Sequence, residues 1–223
     1  MASGELSAAE FEAFLKSVFN QLARVSTDGS IHFTFIDWRH LREMLAAGSA
    51  TYSELKNLCV WNKTNGGMGS LYRSKHELIL VWKSGRGDHV NNVELGRHGR
   101  NRSNVWDFAG VNSFRADRLD ELVSHPTVKP VAMIAEAIKD CSHRGDVVLD
   151  PFCGSGTILI AAERTGRSAK AIELDPLYVD VAVRRRQRFT GCDAVHAETG
   201  RTFDETCEHA QRKTFDRAEG QAK

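Results

Sequence analysis

The chain has 223 residues, 41% of them hydrophobic, and its 30 Lys and Arg against 29 Asp and Glu give a formal net charge of +1 at pH 7. This composition excludes a disordered, collagen-like or low-complexity chain, and the length suffices for one good-sized hydrophobic core. No apolar run approaches the ~20 residues that span a bilayer, and the N-terminus lacks a signal-peptide pattern, so we expect no membrane association.

Cysteine spacing gives no sign of a disulfide framework or a zinc site. The five cysteines are odd in number, lie far apart and form no C-x-x-C pair. We therefore expect reduced, buried thiols in a cytoplasmic protein, and no metal site. They are Cys59, Cys141, Cys153, Cys192 and Cys207.

The first half of the chain predicts alternating helices and strands. Ser7 and Glu10 form a capping-box pattern that opens a helix over residues 7–25. Short apolar runs predict strands over 31–36, 55–61 and 78–82. Residues 38–47, between the first two of these strands, are expected to form a helix that ends near Gly48. Residues 84–118 approximately are rich in Gly, Asn and Arg and lack periodicity, which indicates an inserted recognition segment or a long surface loop.

Regular patterns return in the second half. They predict a helix from Val131, strands over 147–150 and 168–173, helices over 158–164 and from Pro176, and a short strand over 194–197. Strands that alternate with helices predict an α/β fold, a doubly wound, mostly parallel sheet with helices on both faces. We expect one domain over residues 1–202, followed by a loosely held tail over 203–223.

A tight glycine turn is the sharpest motif in the sequence. The strand over 147–150 ends in Asp150, the turn carries Gly154 and Gly156, and a helix starts at Thr157. Glycine allows positive φ and close backbone approach to a ligand, and the free N–H groups of a helix N-terminus favour an anion. About 20 residues later Glu173 ends the next strand, in the pattern that binds ribose hydroxyls. The arrangement predicts a nucleoside cofactor site, although a glycine-rich connection that only packs helix on strand is the alternative.

The acid before the turn discriminates between cofactors. Asp150 would be unfavourable beside the pyrophosphate of a nicotinamide dinucleotide, but it suits a ligand that carries an ammonium group. S-adenosylmethionine has an ammonium, a carboxylate and a ribose, and it has no phosphate. The sequence therefore favours S-adenosylmethionine over a nicotinamide cofactor.

The motif Asp150-Pro151-Phe152-Cys153-Gly154-Ser155-Gly156-Thr157 resembles the cofactor-binding motif of DNA amino-methyltransferases, which methylate adenine N6 or cytosine N4. The upstream stretch His125-Pro126-Thr127-Val128-Lys129-Pro130 resembles the companion motif of that family, and this order is typical of its circularly permuted β class. The segment Ala171-Ile172-Glu173-Leu174-Asp175-Pro176 resembles the part that holds the ribose. The resemblance is strong over about residues 125–190 and weaker over 60–78.

The resemblance implies a role for each matching residue. Asp150 and the turn would face the methionine moiety, Phe152 would pack near the cofactor, and Glu173 would accept from the ribose hydroxyls. Thr127 and Lys129 would close the methionine end, with Lys129 opposite the carboxylate, although a solvated charge at a helix start is the alternative for Lys129. The implied cofactor-binding set is Asp150, Phe152, Gly154, Gly156, Thr157, Glu173, Thr127 and Lys129.

One element of the family is missing from this sequence. The family's catalytic loop reads Asp/Asn/Ser-Pro-Pro-aromatic, and it holds the amine and stacks on an extruded base. None of the four prolines is adjacent to another, so no catalytic residue can be named. The resemblance implies that the sequence begins after the loop and lacks the preceding strand, which opens a sheet edge. A truncated gene, a misplaced start or a partner chain that supplies the loop would account for this.

These observations predict that the chain alone is nearly inactive on DNA, and a cofactor- or DNA-binding module without activity is the alternative. Cytosine C5 methylation is excluded because it requires a Pro-Cys nucleophile, and no proline precedes any cysteine.

Arginines among Asn and Gly lie in the interval where the family's target recognition usually occurs. Arg97, Arg100 and Arg102 are the candidate contacts to double-stranded DNA, and an ordinary solvated loop is the alternative. The interval is short, so recognition would be brief or shared across a homodimer. Asp37 and Trp38 are candidates to line the cofactor adenine or the flipped base, with a core tryptophan and a capping aspartate as the alternative. We interpret Arg184-Arg185-Arg186 as a structural face.

Overall fold

The computed structural model describes residues 5–67, 69, 71–97, 101–110 and 128–209. Its helices are α1 (Ala8–Val25), α2 (Leu41–Thr51), α3 (Val131–Asp140), α4 (Thr157–Thr165) and α5 (Pro176–Thr190), and a 3-10 helix over Trp38–His40 precedes α2. Its strands are β1 (Ile31–Ile36), β2 (Glu54–Asn62), β3 (His76–Lys83), β4 (Val105–Asp107), β5 (Val147–Asp150) and β6 (Ser168–Ala171). The predicted capping box opens α1, since Ser7 and Glu10 each accept from the other's backbone N–H.

The strands form two sheets. The larger has the order β1-β3-β2-β4, and the smaller pairs β5 with β6. The predicted α/β fold is confirmed, and the pairs β2–β4 and β5–β6 are parallel as expected. However, β3 runs antiparallel to both β1 and β2, because β2 and β3 are consecutive in the chain and form a hairpin.

Helices α1 and α2 cover one face of the larger sheet. Their apolar stripes meet the inward side chains of β3, which include the fully buried Leu80 and Trp82. The predicted helix end near Gly48 is wrong, because α2 continues to Thr51. A Cβ at Gly48 would lie 2.2 Å from the Trp82 ring, so this glycine allows close packing inside the helix and does not terminate it.

Helix α3 lies between the two sheets and packs against each of them with a different side. Met133 and Ala137 pack on the other face of the larger sheet, against Trp61 and Ile79 among others. On its second side α3 packs against α4 and β5 through Ala135, Ile138, Ala161 and Val148. Because α3 is buried on both sides, it fixes the smaller sheet beside the larger one.

One further expectation is wrong, and two segments contain local structure that the sequence did not predict. The segment expected as an insertion or loop over about 84–118 contains β4, a strand too short to show a periodic pattern. The strand predicted over 194–197 is wrong, because Val195 makes only a single bridge, with Thr202. Residues 203–209, at the start of the expected tail, are helical, and the rest of the tail lies outside the described residues.

The cysteines are all free thiols, and Cys59 and Cys153 are buried as expected, whereas Cys192 is exposed. Within the described ranges, no helix is long and apolar enough to cross a membrane.

Candidate functional site

The turn between β5 and α4 requires glycine for two separate reasons. Gly154 and Gly156 have φ angles of 52° and 80°, which side-chain-bearing residues rarely adopt. A Cβ at Gly156 would also lie 2.8 Å from the Cβ of Ala182 in α5. Gly156 caps α4 without any side-chain hydrogen bond, so no capping side chain covers the backbone N–H groups at the start of the helix.

Glu173 ties the turn to the end of β6. Its Oε2 accepts from the Gly154 N–H at 2.7 Å, and its Oε1 accepts from the N–H groups of Leu174 and Asp175 at 2.9 and 3.0 Å. The Cys153 N–H donates to the carbonyl oxygen beyond β6, that of residue 172, at 3.0 Å. The predicted ribose acceptor therefore lies beside the glycine turn, with both of its oxygens bonded to backbone N–H groups.

Asp150 and Phe152 lie at the carboxyl end of β5. The Asp150 Oδ1 accepts from the Phe152 N–H at 2.9 Å. Burial raises the pKa of the Asp150 carboxyl and nearby Glu173 raises it further, whereas the Phe152 amide and the Lys129 ammonium lower it. The Phe152 side chain is 58% exposed and its ring centre lies 6.1 Å from that of Phe14 in α1. The site thus combines a carboxylate with an open aromatic surface.

Lys129 connects this turn to the larger sheet. Thr157 donates from Oγ1 to the Lys129 carbonyl oxygen at 3.3 Å. The Lys129 Nζ lies 3.3 Å from the Glu77 Oε1 in β3 and 4.8 Å from the centre of the Phe35 ring in β1. Lys63 pairs with the other oxygen of Glu77 at 3.1 Å. Lys129 is therefore paired with an acid and is not the solvated charge at a helix start that we considered as an alternative. Its ammonium lies near the end of β1, the start of β3 and the end of β5.

The match to a family model decides the identity. The model of the DNA methylase family, N6_N4_Mtase, matches residues 1–184. The chain belongs to the DNA methylase family. It is 34% identical over 127 residues to the type II methyltransferase M.HpaI of Haemophilus parainfluenzae, an alignment that covers 56% of this chain and 38% of that protein. It is 40% identical over 88 residues to the DNA adenine methyltransferase YhdJ of Escherichia coli K12, covering 40% of this chain and 29% of YhdJ.

The chain also shares its fold with solved structures. The crystal structure of the M1.HpyAVI–SAM complex superposes with a TM-score of 0.62 at 20% identity, over 77% of this chain and 82% of that one. This likeness shows the fold. The aligned regions of the curated relatives are less than half of each relative's length.

Two residues of the candidate site could not be named from the sequence. Arg185 in α5 donates to the Oγ of the buried Ser155 at 2.8 Å. This hydrogen bond fixes the glycine turn to α5. Its neighbours contact Glu163 and Phe203, so the arginine run is the structural face that we predicted. Glu77, which holds Lys129, could have been noticed as an acid at the start of an apolar strand. Arg185 has no such local signal.

Two of the three predicted DNA contacts, Arg97 and Arg102, lie within the described residues. Arg102 pairs with Glu136 at 2.9 Å and Asp140 at 3.3 Å in α3 and lies 5.5 Å from the Trp106 ring centre, so it holds β4 on α3. The Arg97 N–H donates to the carbonyl oxygen of Glu94 in a turn. Arg100 and Thr127 lie outside the described residues.

The structure also decides between the alternatives for Asp37 and Trp38. Asp37 caps the 3-10 helix, as its alternative predicted, because it accepts from the Arg39 N–H at 2.7 Å. Trp38 is 50% exposed and is therefore not a core residue. Among the residues that the structure describes, no three His, Cys, Asp or Glu side chains are placed to hold a metal ion.

Proposed function

We propose that this methylase transfers the methyl group of S-adenosylmethionine to an exocyclic amine of double-stranded DNA, either adenine N6 or cytosine N4. The observation that carries the proposal is the convergence of Asp150, Glu173 and Lys129 on one glycine turn. Family membership and the M1.HpyAVI–SAM structure support it. We place the enzyme in the cytoplasm, consistent with its free thiols.

The donor set fits the groups of this cofactor. Asp150 would pair with the ammonium, and the first N–H groups of α4 with Lys129 would bind the carboxylate. Glu173 would accept from the ribose hydroxyls, and Phe152 would cover an apolar part of the ligand. Gly154 and Gly156 allow the backbone to approach it. The bound cofactor supplies an electrophilic methyl group on a sulfonium, and the chain's own task is to fix its orientation.

The acceptor side is incomplete in the sequence given. A methyltransferase of this kind has to hold the amine in line with the methyl–sulfur bond and draw charge from the nitrogen through hydrogen bonds. The sequence contains no Pro-Pro loop to do so. We propose that another segment or a partner chain of different sequence supplies the loop and that the 223 residues alone transfer little. The same observation favours a cofactor- or DNA-binding module as the second candidate function.

Calorimetry with S-adenosylhomocysteine and with NAD tests the cofactor. We expect the methylase to bind the first and not the second. Glu173→Gln should weaken binding about tenfold, because charge-assisted hydrogen bonds to the ribose become neutral ones. The matched control is Glu163→Gln, an acid on α4 that pairs with Arg186 at 3.9 Å. Binding of NAD, or equal affinity in both variants, would contradict the proposed site.

Transfer of labelled methyl groups to DNA tests the reaction. We expect background transfer by the chain alone, and N6-methyladenine or N4-methylcytosine after the loop is restored. The modified base is identified by mass spectrometry of the hydrolysed nucleosides. If restoration of the loop leaves transfer at background while cofactor and DNA still bind, the module is the correct interpretation.

A further inference from the structure

Three large apolar side chains are exposed at the carboxyl ends of β1 and β2. Trp38 follows β1 and is 50% exposed, while Leu71 and Tyr72 lie in the β2–β3 connection and are each 83% exposed. None of the three contributes to the hydrophobic clusters that form the core. Adjacent large apolar residues at a loop tip are unfavourable in water, which indicates that this tip contacts a partner.

The connection is held in place at its base. The Lys63 N–H donates to the Lys75 carbonyl at 2.8 Å, and the Gly67 N–H donates to the Ser74 carbonyl at 2.7 Å. The Arg73 guanidinium donates to the carbonyl oxygens of Gly66 at 2.9 Å and Gly67 at 3.3 Å. These bonds fix the backbone on both sides of the tip, so Leu71 and Tyr72 extend from an ordered base.

Trp38 belongs to the same surface. Its Nε1 donates to the Ser74 Oγ at 3.4 Å, and Arg39 stacks on its ring at 5.4 Å from the centre. We call Trp38, Arg39, Leu71, Tyr72 and Arg73 the aromatic tip.

The aromatic tip is adjacent to the proposed cofactor site. The base of the connection contains Lys63, which pairs with Glu77, and Glu77 also pairs with Lys129 beside Asp150. A partner bound at the tip would therefore lie at the same edge of the larger sheet as Lys129.

Charge distinguishes between classes of partner. Arg39, Arg73 and Lys75 are exposed at the tip, whereas the nearby Glu77 is paired with two lysines. Exposed aromatic rings with neighbouring cations are the combination that proteins use for nucleic-acid bases and phosphates.

We propose that the aromatic tip enters double-stranded DNA beside the target base, with Leu71 and Tyr72 as an apolar wedge and Trp38 as a stacking surface. This inference rests on the proposed function. A base amine inside a duplex cannot reach a methyl donor, so the base has to leave the stack. Apolar side chains that enter a base step replace part of the lost stacking.

Binding to duplexes with and without a stacking defect tests the wedge. Fluorescein-labelled duplexes that are fully paired, or that carry one central abasic site, are titrated by fluorescence anisotropy in the presence of S-adenosylhomocysteine. We expect the wild-type chain to prefer the abasic duplex about 5- to 160-fold, the range that one stacked base contributes. The double variant Leu71→Ala/Tyr72→Ala should lose this preference, and Tyr72→Phe should keep it.

Phe189→Ala provides the matched control, because Phe189 is an exposed aromatic residue near the C-terminus of α5. It should leave the preference unchanged. Equal binding of both duplexes by the wild type, or an unchanged preference in the double variant, would overturn the wedge. A wild-type chain that binds S-adenosylhomocysteine but neither duplex would contradict the proposed function instead. Self-association that the double variant abolishes, without effect on DNA binding, would show that the tip is a protein interface.

Discussion

Gly156 illustrates how backbone conformation and packing act at a single residue. Its φ of 80° disfavours any side chain, and Ala182 fills the space that a Cβ would occupy. Gly145 has a φ of 89° with nothing within 4 Å of a Cβ, so it shares only the first constraint. The two glycines therefore form a matched pair that separates the cost of φ from the cost of overpacking.

We predict that Gly156→Ala lowers the free energy of unfolding by about 2–4 kcal/mol, because roughly 1–2 kcal/mol from the left-handed conformation adds to overpacking against α5. Gly145→Ala should lower it by only about 1–2 kcal/mol, since only the conformational cost applies there. Denaturant unfolding followed by circular dichroism measures both variants. Equal losses would show that α5 can move away from the turn.

His32 provides a pH-dependent contribution to stability. Its ring nitrogens lie 3.1 Å from the Ser30 Oγ and 3.0 Å from the Tyr52 hydroxyl. Burial lowers the pKa of His32 from 6.5 to about 4. Below pH 6.5 the His32 side chain therefore binds a proton in the unfolded chain, whereas in the folded chain it stays neutral down to about pH 4. The contribution of His32 to the free energy of unfolding is therefore fully present only above pH 6.5.

We predict that the free energy of unfolding decreases as the pH is lowered from about 6 to about 4.5, with a His32 contribution of about 1.4 kcal/mol per pH unit. His32→Gln should remove that part of the slope, because glutamine does not titrate. The control His196→Gln changes an exposed histidine and should leave the slope unchanged. Identical slopes in the wild type and His32→Gln would show that His32 takes up its proton in the folded state.

Whether a site residue could be predicted from the sequence depends on whether the residues that it contacts lie close to it in the chain. Asp150, Gly154 and Gly156 could be found from the sequence because a strand, a turn and a helix start occupy one short stretch. Lys129 could be assigned only through the family resemblance. The contact of Arg185 with Ser155 depends on how α5 packs on α4, and no sequence pattern records that packing.

At the scale of elements, α3 is the part that unites the molecule. It packs on the larger sheet from one side and on α4 and β5 from the other. Two acids of α3, the partly exposed Glu136 and the buried Asp140, also pair with Arg102, which precedes β4 and lies near Trp106. Arg102 therefore connects the 101–107 segment to α3, and its contact with DNA stays a prediction.

We predict that Arg102→Ala lowers the free energy of unfolding by about 2 kcal/mol, because it leaves the carboxylate of the buried Asp140 without this cation. Adding Asp140→Asn should recover part of the loss, since the carboxylate is then also removed. A double-mutant cycle from urea unfolding measures the coupling. Unchanged stability together with weaker DNA binding would contradict the structural role and support Arg102 as a DNA contact.

Elements could be predicted where their apolar pattern was long enough. The helices α1 and α3 and the strands β1, β3 and β5 follow from runs and stripes in the sequence. The end of α2 could not be predicted, because Gly48 acts there through its contact with Trp82, which lies in a distant strand. The strand β4 was missed because only one of its three residues, Trp106, is buried.

At the scale of the whole molecule, each of the two sheets has an edge strand next to the candidate site, β1 in the larger sheet and β5 in the smaller one. Within the described ranges β1 pairs only with β3, and β5 pairs only with β6. The carboxyl ends of both strands lie near Lys129, which contacts the Phe35 ring and acts electrostatically on Asp150. Each strand therefore has a row of backbone groups available for a further strand beside the site that needs the catalytic loop.

We predict that hydrogen exchange of the isolated chain shows an alternating pattern in β1, with every second amide poorly protected, whereas β3 is protected throughout. The reason is that alternate amides of an edge strand point away from its neighbour, while β3 has a partner on each side and contains the fully buried Ile79 and Leu80. Amide exchange followed by NMR measures this directly. Uniform protection across β1 would show that another segment of the chain already pairs with it. If a polypeptide that restores methyl transfer also slows the exposed amides of β1, then completing the sheet and completing the active site are the same event.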